Sequence, residues 1–111
     1  MPKTYAIAHL QDVRMGPEIA EYLGRIDETL EPFDGRFLVH GMRHEVLEGE
    51  WPGDLVIIEF PDRARAEAWY SSERYQQILP LRVRNSDSNA IIIDGNADDH
   101  RGADLLAELS G

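Results

Sequence analysis

Cysteine is absent from this 111-residue chain. Its absence excludes disulfides, a thiol nucleophile and zinc–thiolate sites, and fits a reducing compartment. Cations are scarce: 11 Lys and Arg face 21 Asp and Glu, for a net charge of −10 and a pI near 4.7. Such a field repels phosphate backbones, so no nucleic-acid partner is expected. No apolar run approaches the ~20 residues of a membrane span. The opening Met1-Pro2-Lys3-Thr4-Tyr5 leads into a strand pattern rather than an apolar signal region. A cytoplasmic protein without a membrane partner is the expectation. Also missing are a G-x-S-x-G elbow, a G-x-x-x-x-G-K-[ST] phosphate cradle, a G-x-G-x-x-G turn after a strand and an H-E-x-x-H pair. The reading therefore includes no nucleotide, flavin or nicotinamide cofactor and no metal.

What is present is an ordinary globular balance, with 42% hydrophobic and 29% charged residues. A chain of this length forms one domain and removes roughly two-thirds of its extended surface from water. Thr4 to Leu10 alternates as a strand. Pro17 suits a first helical position, and Ile19, Tyr22, Leu23, Ile26 and Leu30 form one apolar stripe of a helix ended by Pro32. Arg36 to His40 is a second strand, bent at Gly41, with pairing expected to resume through Leu47. Residues 48–53 form a loop, and Asp54 to Phe60 is a buried third strand stopped by Pro61. Asp62 caps a second helix carrying Ala66, Trp69 and Tyr70. A further short helix runs from Glu73 to about Arg82, and Asn89 to Asp94 is the last strand. This order predicts an α+β, ferredoxin-like βαββαβ domain over residues 1–95, with a four-stranded antiparallel sheet. Residues 96–111 read as a flexible tail with a short docking helix anchored by Leu105, Leu106 and Leu109.

Alternation along strands sorts the sheet into two faces. Ala6, Ala8, Leu10, Phe37, Val39, Val56, Ile58, Phe60, Ile91 and Ile93 form an apolar set, expected under the helices. Tyr5, Ile7, His9, Arg36, Leu38, His40, Leu55, Ile57, Glu59, Ala90, Ile92 and Asp94 form the second set, which holds every ionisable strand residue of these spans. No helix of this topology covers a mixed face of that kind. Two copies packed through it would bury the aliphatic residues and enclose the charged ones, so a homodimer with a cleft at its interface is expected.

The chain resembles the DUF1330 family, a domain of unknown function in the dimeric α/β-barrel group. Tyr5-Ala6-Ile7-Ala8-His9, Gly35-Arg36-Phe37-Leu38-Val39 and Gly41 carry the resemblance at the start. Val46-Leu47-Glu48-Gly49-Glu50-Trp51-Pro52 and Val56-Ile57-Ile58-Glu59-Phe60-Pro61 continue it, then Ala68-Trp69-Tyr70-Ser71-Ser72, Tyr75-Gln76 and Leu81-Arg82. Trp69 stands where a smaller residue is common, and the segment after Gly95 extends beyond the pattern. The resemblance implies the ferredoxin-like fold and a homodimer, and brings no established reaction. The wider group includes cofactor-free enzymes acting on aromatic or lactone compounds.

Two readings stand for each candidate residue. Arg36 and Glu59 fall side by side if strands two and three pair: Arg36 binds a substrate carboxylate while Glu59 orients it or acts as base, or the two form a structural ion pair. His9 is an acid/base candidate because histidine as a residue type titrates near neutrality, or it is held by an interface hydrogen bond. His40 shares the expected cleft. His40 and His44 would be ~13 Å apart on an extended strand, too far to chelate one ion without a sharp bend. Asp98-Asp99-His100 reads as a solvated charge run. Tyr70, Ser72, Tyr75 and Arg82 wall the cleft, with Tyr75 donating a hydrogen bond and Arg82 supplying charge, or else pack and cap. Trp51 flanks a ligand or covers the sheet edge. The function these residues suit is that of a small-molecule-handling protein, with cofactor-free acid/base chemistry on a small anionic or aromatic substrate in a cleft at the dimer interface. The alternative is a non-catalytic ligand-binding module or a structural dimer.

Overall fold

A computed structural model describes residues 2–110. Its elements run β1 (Thr4–Gln11), α1 (Pro17–Leu30), a short 3-10 turn (Glu31–Phe33), β2 (Arg36–His40) and β3 (Asp54–Phe60). They continue as α2 (Arg63–Ser71), α3 (Glu73–Val83), β4 (Asp87–Asp94) and α4 (Asp104–Ser110). The four strands make one antiparallel sheet in the order β2-β3-β1-β4. This is the expected βαββαβ ferredoxin-like arrangement.

Local chemistry sets the helix ends. Pro17 occupies the first turn of α1, where its missing N–H costs nothing. The Asp62 carboxylate accepts the Arg65 amide at the start of α2, and Ser72 Oγ accepts the Tyr75 amide at the start of α3, so both caps satisfy orphan donors. Asp34 takes a left-handed turn before β2. Gly35 follows because a Cβ there would lie 2.7 Å from the Phe60 ring.

The core lies between the helices and one sheet face. Phe60, Ala66 and Ile78 are fully buried, and Tyr22, Ile26, Leu30, Ile58, Trp69 and Tyr75 surround them. Trp69 donates its indole N–H to Thr29 Oγ1 at 3.0 Å, which lets a polar ring sit in this core.

Three sequence expectations change. The β4 faces are exchanged: Ala6 pairs with Ile92 and Ile7 with Ile91. Ile92 therefore packs against the core, whereas Ile91 and Ile93 stand on the opposite face, 55% and 47% exposed. Three consecutive isoleucines carry no phase, and a one-residue slip turns a strand over. Asp94 consequently lies on the helix side, where its carboxylate accepts Thr4 Oγ1 at 2.9 Å and Arg63 at 3.2 Å. Second, a bulge between Phe37 and Val39 shifts the β2 register. It pairs Val39 with Ile57 and His40 with Val56, so His40 joins the helix side and Val39 leaves it. Third, residues 41–53 do not resume pairing as far as Leu47; they form an exposed connection between β2 and β3. The tail helix forms, but Leu105, Leu106 and Leu109 are 49%, 68% and 76% exposed.

Candidate functional site

The sheet has two chemically different sides, and a cavity opens on the helix side. Its volume is about 840 Å³. Its floor is built from Ala6, Ala8, Ala90, Val56, Ile58 and Ile92, and its walls from Ile19, Tyr22 and Ile26 of α1, Trp69 and Tyr70 of α2 and Tyr75 and Arg82 of α3. The alanines matter here. Small side chains at the middle of β1 and β4 leave room that an isoleucine or phenylalanine would fill, so the groove is a consequence of sequence.

Polar groups converge at one place in this apolar space. The Tyr22 and Tyr75 hydroxyls are 2.8 Å apart and both rings are buried. Burial, reinforced by the neighbouring Tyr75, pushes the Tyr22 phenol well above its ordinary range, so it remains protonated. The Arg82 guanidinium carbon lies 5.8 Å from the Tyr22 ring centroid. Arg82 is 7% exposed and donates from Nη1 to Ser88 Oγ at 2.6 Å. Burial works against its charge, but the Tyr75 and Tyr22 hydroxyls outweigh that and hold its pKa above the usual guanidinium value. The rings of Trp69, Tyr70 and Tyr75 form an aromatic wall, with Trp69 and Tyr75 centroids 4.1 Å apart. At the rim, His40 stacks flat on Phe37 at 4.2 Å.

The other side of the sheet carries a different group. Glu59 Oε1 accepts from Lys3 Nζ and Arg36 Nε, each at 3.0 Å. The Lys3 hydrogen bond, aided by Arg36, outweighs burial and lowers the Glu59 pKa. His9 Nε2 lies 2.5 Å from the Pro52 carbonyl oxygen, and its ring meets Trp51 at 5.1 Å. These contacts tie residues 51–52 to β1.

The predicted site residues thus divide. His40, Tyr70, Tyr75 and Arg82 line one cavity. His9, Arg36 and Glu59 lie across the sheet from it. Ser72 sits between α2 and α3, where its hydroxyl donates to the Trp69 carbonyl and accepts the Tyr75 amide. The cavity lies within one chain on the helix side, not on the face where a cleft between two chains was expected. Tyr22 was not among the candidates. Its signal was a phenol on the buried stripe of α1, a place where a hydroxyl requires a partner. Among the described residues, no group of three His, Asp or Glu side chains is arranged to hold a metal ion. No helix among them is long and apolar enough to cross a membrane.

The sheet order and the helix-side cavity define a small ferredoxin-like α+β protein. The chain belongs to the family described as "Domain of unknown function (DUF1330)", which matches residues 3–96. Comparison with curated proteins gave no match. Solved structures share the fold at low identity. RPA0582 of Rhodopseudomonas palustris, a protein of unknown function, is 16% identical with a TM-score of 0.64, covering 86% of this chain and 84% of its own. A dimeric ferredoxin-like protein of unknown function from Jannaschia is 15% identical with a TM-score of 0.62, over 86% of this chain and 99% of its own. SnoaB of Streptomyces nogalater, a cofactor-independent oxygenase, is 12% identical with a TM-score of 0.62, over 91% of this chain and 100% of its own.

Proposed function

We propose that this protein takes up a small planar organic molecule in the helix-side cavity and carries out cofactor-free proton-transfer chemistry on it. One observation carries the reading: an aromatic-walled space of about 840 Å³ whose buried polar contact is a pair of hydroxyls beside an arginine. Planar ligands gain most from such walls, because ring faces and edges meet without ordering flexible chains. In this reading Tyr22 and Tyr75 supply a hydrogen bond to a substrate oxygen. With its pKa raised, Tyr22 acts as a donor rather than a base. His40, at the rim, accepts the substrate proton, and Tyr70 closes the aromatic wall. The likeness to a cofactor-independent oxygenase supports a fold able to host such chemistry.

The opposite face has a different task in the proposal. Ile91, Ile93, Ile7 and Ile57 give it an apolar centre, and Lys3, Glu59 and Arg36 a charged edge. We assign it to a homodimer interface, in keeping with the dimeric ferredoxin-like relative. Glu59, paired twice and with a lowered pKa, suits an ion-pair staple better than a proton acceptor. His9 suits an anchor for Trp51 and Pro52.

The test is incubation of the protein in air with a panel of hydroquinones, from which removal of the protons lets dioxygen take two electrons to give the quinone and hydrogen peroxide, followed by chromatography of the mixture. The proposal expects at least one compound to be converted by the wild type and not by Tyr75→Phe or His40→Ala. A compound that binds in the cavity and is recovered unchanged would establish the non-catalytic alternative instead.

A further inference from the structure

The cavity contains a buried charge with no countercharge among the described residues. Arg82 is more than nine-tenths buried, yet none of the ion pairs among the described residues includes it. Its surroundings are neutral: two phenols and the Ser88 hydroxyl. Arg63, the other cation lining the cavity, is already paired with Glu67 at 3.0 Å and Asp94 at 3.2 Å. The acids of the lining, Asp12 and Asp54, are exposed and outside ion-pairing reach of Arg82. The phenols hold that charge in place but do not neutralise it, and an anion brought to it is bound in a fork of remaining N–H donors. The Tyr22–Tyr75 pair stands beside that fork with one hydroxyl proton to offer, the other being held between the two oxygens.

Resting on the cavity reading above, we infer that the ligand is an anion: a planar aromatic carboxylate, or a phenolate or enolate of similar size, whose charged oxygen sits at Arg82 and the tyrosine hydroxyls. The chain as a whole is acidic, at −10, so long-range attraction does not collect such a ligand. Selection is local, by the desolvated guanidinium. The rim carboxylates Asp12 and Asp54 favour an anionic group that has passed inward over one that remains at the entrance.

The test is calorimetric titration of the full chain at pH 8 with 2-naphthoate and with its neutral isostere 2-naphthamide. The wild type is expected to bind naphthoate at least tenfold more tightly than naphthamide. In Arg82→Met the ratio should fall below threefold, mainly through weaker naphthoate binding, while Arg82→Lys should retain part of the preference. Equal affinity of the wild type for the two compounds would overturn the anion inference and leave the cavity reading standing. Failure of both compounds and of naphthalene itself to bind would overturn the cavity reading and this inference together. Should Arg82→Met lose its circular dichroism, the salt response of the wild type decides. Added chloride should weaken naphthoate binding and spare naphthamide, and an equal response would overturn the inference.

Discussion

In an Arg82→Met background, where no guanidinium is left to bond either oxygen, removing one hydroxyl of the Tyr22–Tyr75 pair should do more damage than removing both. The oxygens are 2.8 Å apart, with Tyr22 8% and Tyr75 2% exposed, so neither has ready access to bulk water. Tyr75→Phe strands the Tyr22 hydroxyl, at a cost of about 1–3 kcal/mol for a buried polar group without a partner. Tyr22→Phe does the same to Tyr75. The double variant removes both polar atoms and leaves two rings of nearly unchanged shape, so its cost should be below about 1 kcal/mol. The coupling in this double-mutant cycle is then on the order of 1–3 kcal/mol. For a chain of this size, about 1 kcal/mol corresponds to roughly 3–6 °C in Tm. Urea unfolding of the four proteins, with matched thermal melts, measures it. Additive losses, or single variants as stable as the Arg82→Met parent, would refute the reasoning. The second result would mean that cavity water already serves each hydroxyl.

Other consequences are as direct. Ile92→Ala should cost about 1–3 kcal/mol in urea unfolding, because Ile92 packs on the core, whereas Ile91→Asp, on the proposed dimer face, should leave only the mass of one chain in light scattering. Glu59 has a pKa lowered on folding, so its contribution is present above its unfolded value near 4.5 and is lost as pH falls through the lowered folded value. Thermal melts of wild type and Glu59→Gln should therefore differ at pH 7 and converge in acid below that range. Gly53→Ala should destabilise more than Gly41→Ala. Both have positive φ, but a Cβ at Gly53 would lie 2.1 Å from the Leu10 carbonyl oxygen, while Gly41 has open space. Comparative urea midpoints would show the difference.

Much of this architecture was legible from residue patterns. Pro17, Pro61, Asp62 and Ser72 mark element boundaries that the structure reproduces within a residue or two, because each acts through local backbone chemistry. The pairing of Arg36 with Glu59 followed from the β2–β3 neighbourhood. Longer-range facts were not legible. The phase of Ile91-Ile92-Ile93 is set by pairing with Ala6 and Ile7, some 85 residues away along the chain. The bulge beside Phe37 moves His40 to the other face, and nothing local to Leu38 announces it. These two shifts relocate the candidate site. The groups expected to share one face separate into an ion-pair cluster on one side and an aromatic cavity on the other. Arg82 and Tyr75 were visible as candidates, but their partner Tyr22 was concealed inside an apolar helical stripe.

The two tryptophans stand on opposite sides of the sheet. Trp69 walls the cavity, with its indole N–H on Thr29, and Trp51 lies against His9 on the other face. A proton–nitrogen correlation spectrum resolves the two indole signals, and Trp51→Phe assigns them. Titration with 2-naphthoate should move the Trp69 signal and leave that of Trp51 in place. Movement of Trp51 alone would put the ligand on the opposite face and contradict the account of this protein as one that works within its helix-side cavity.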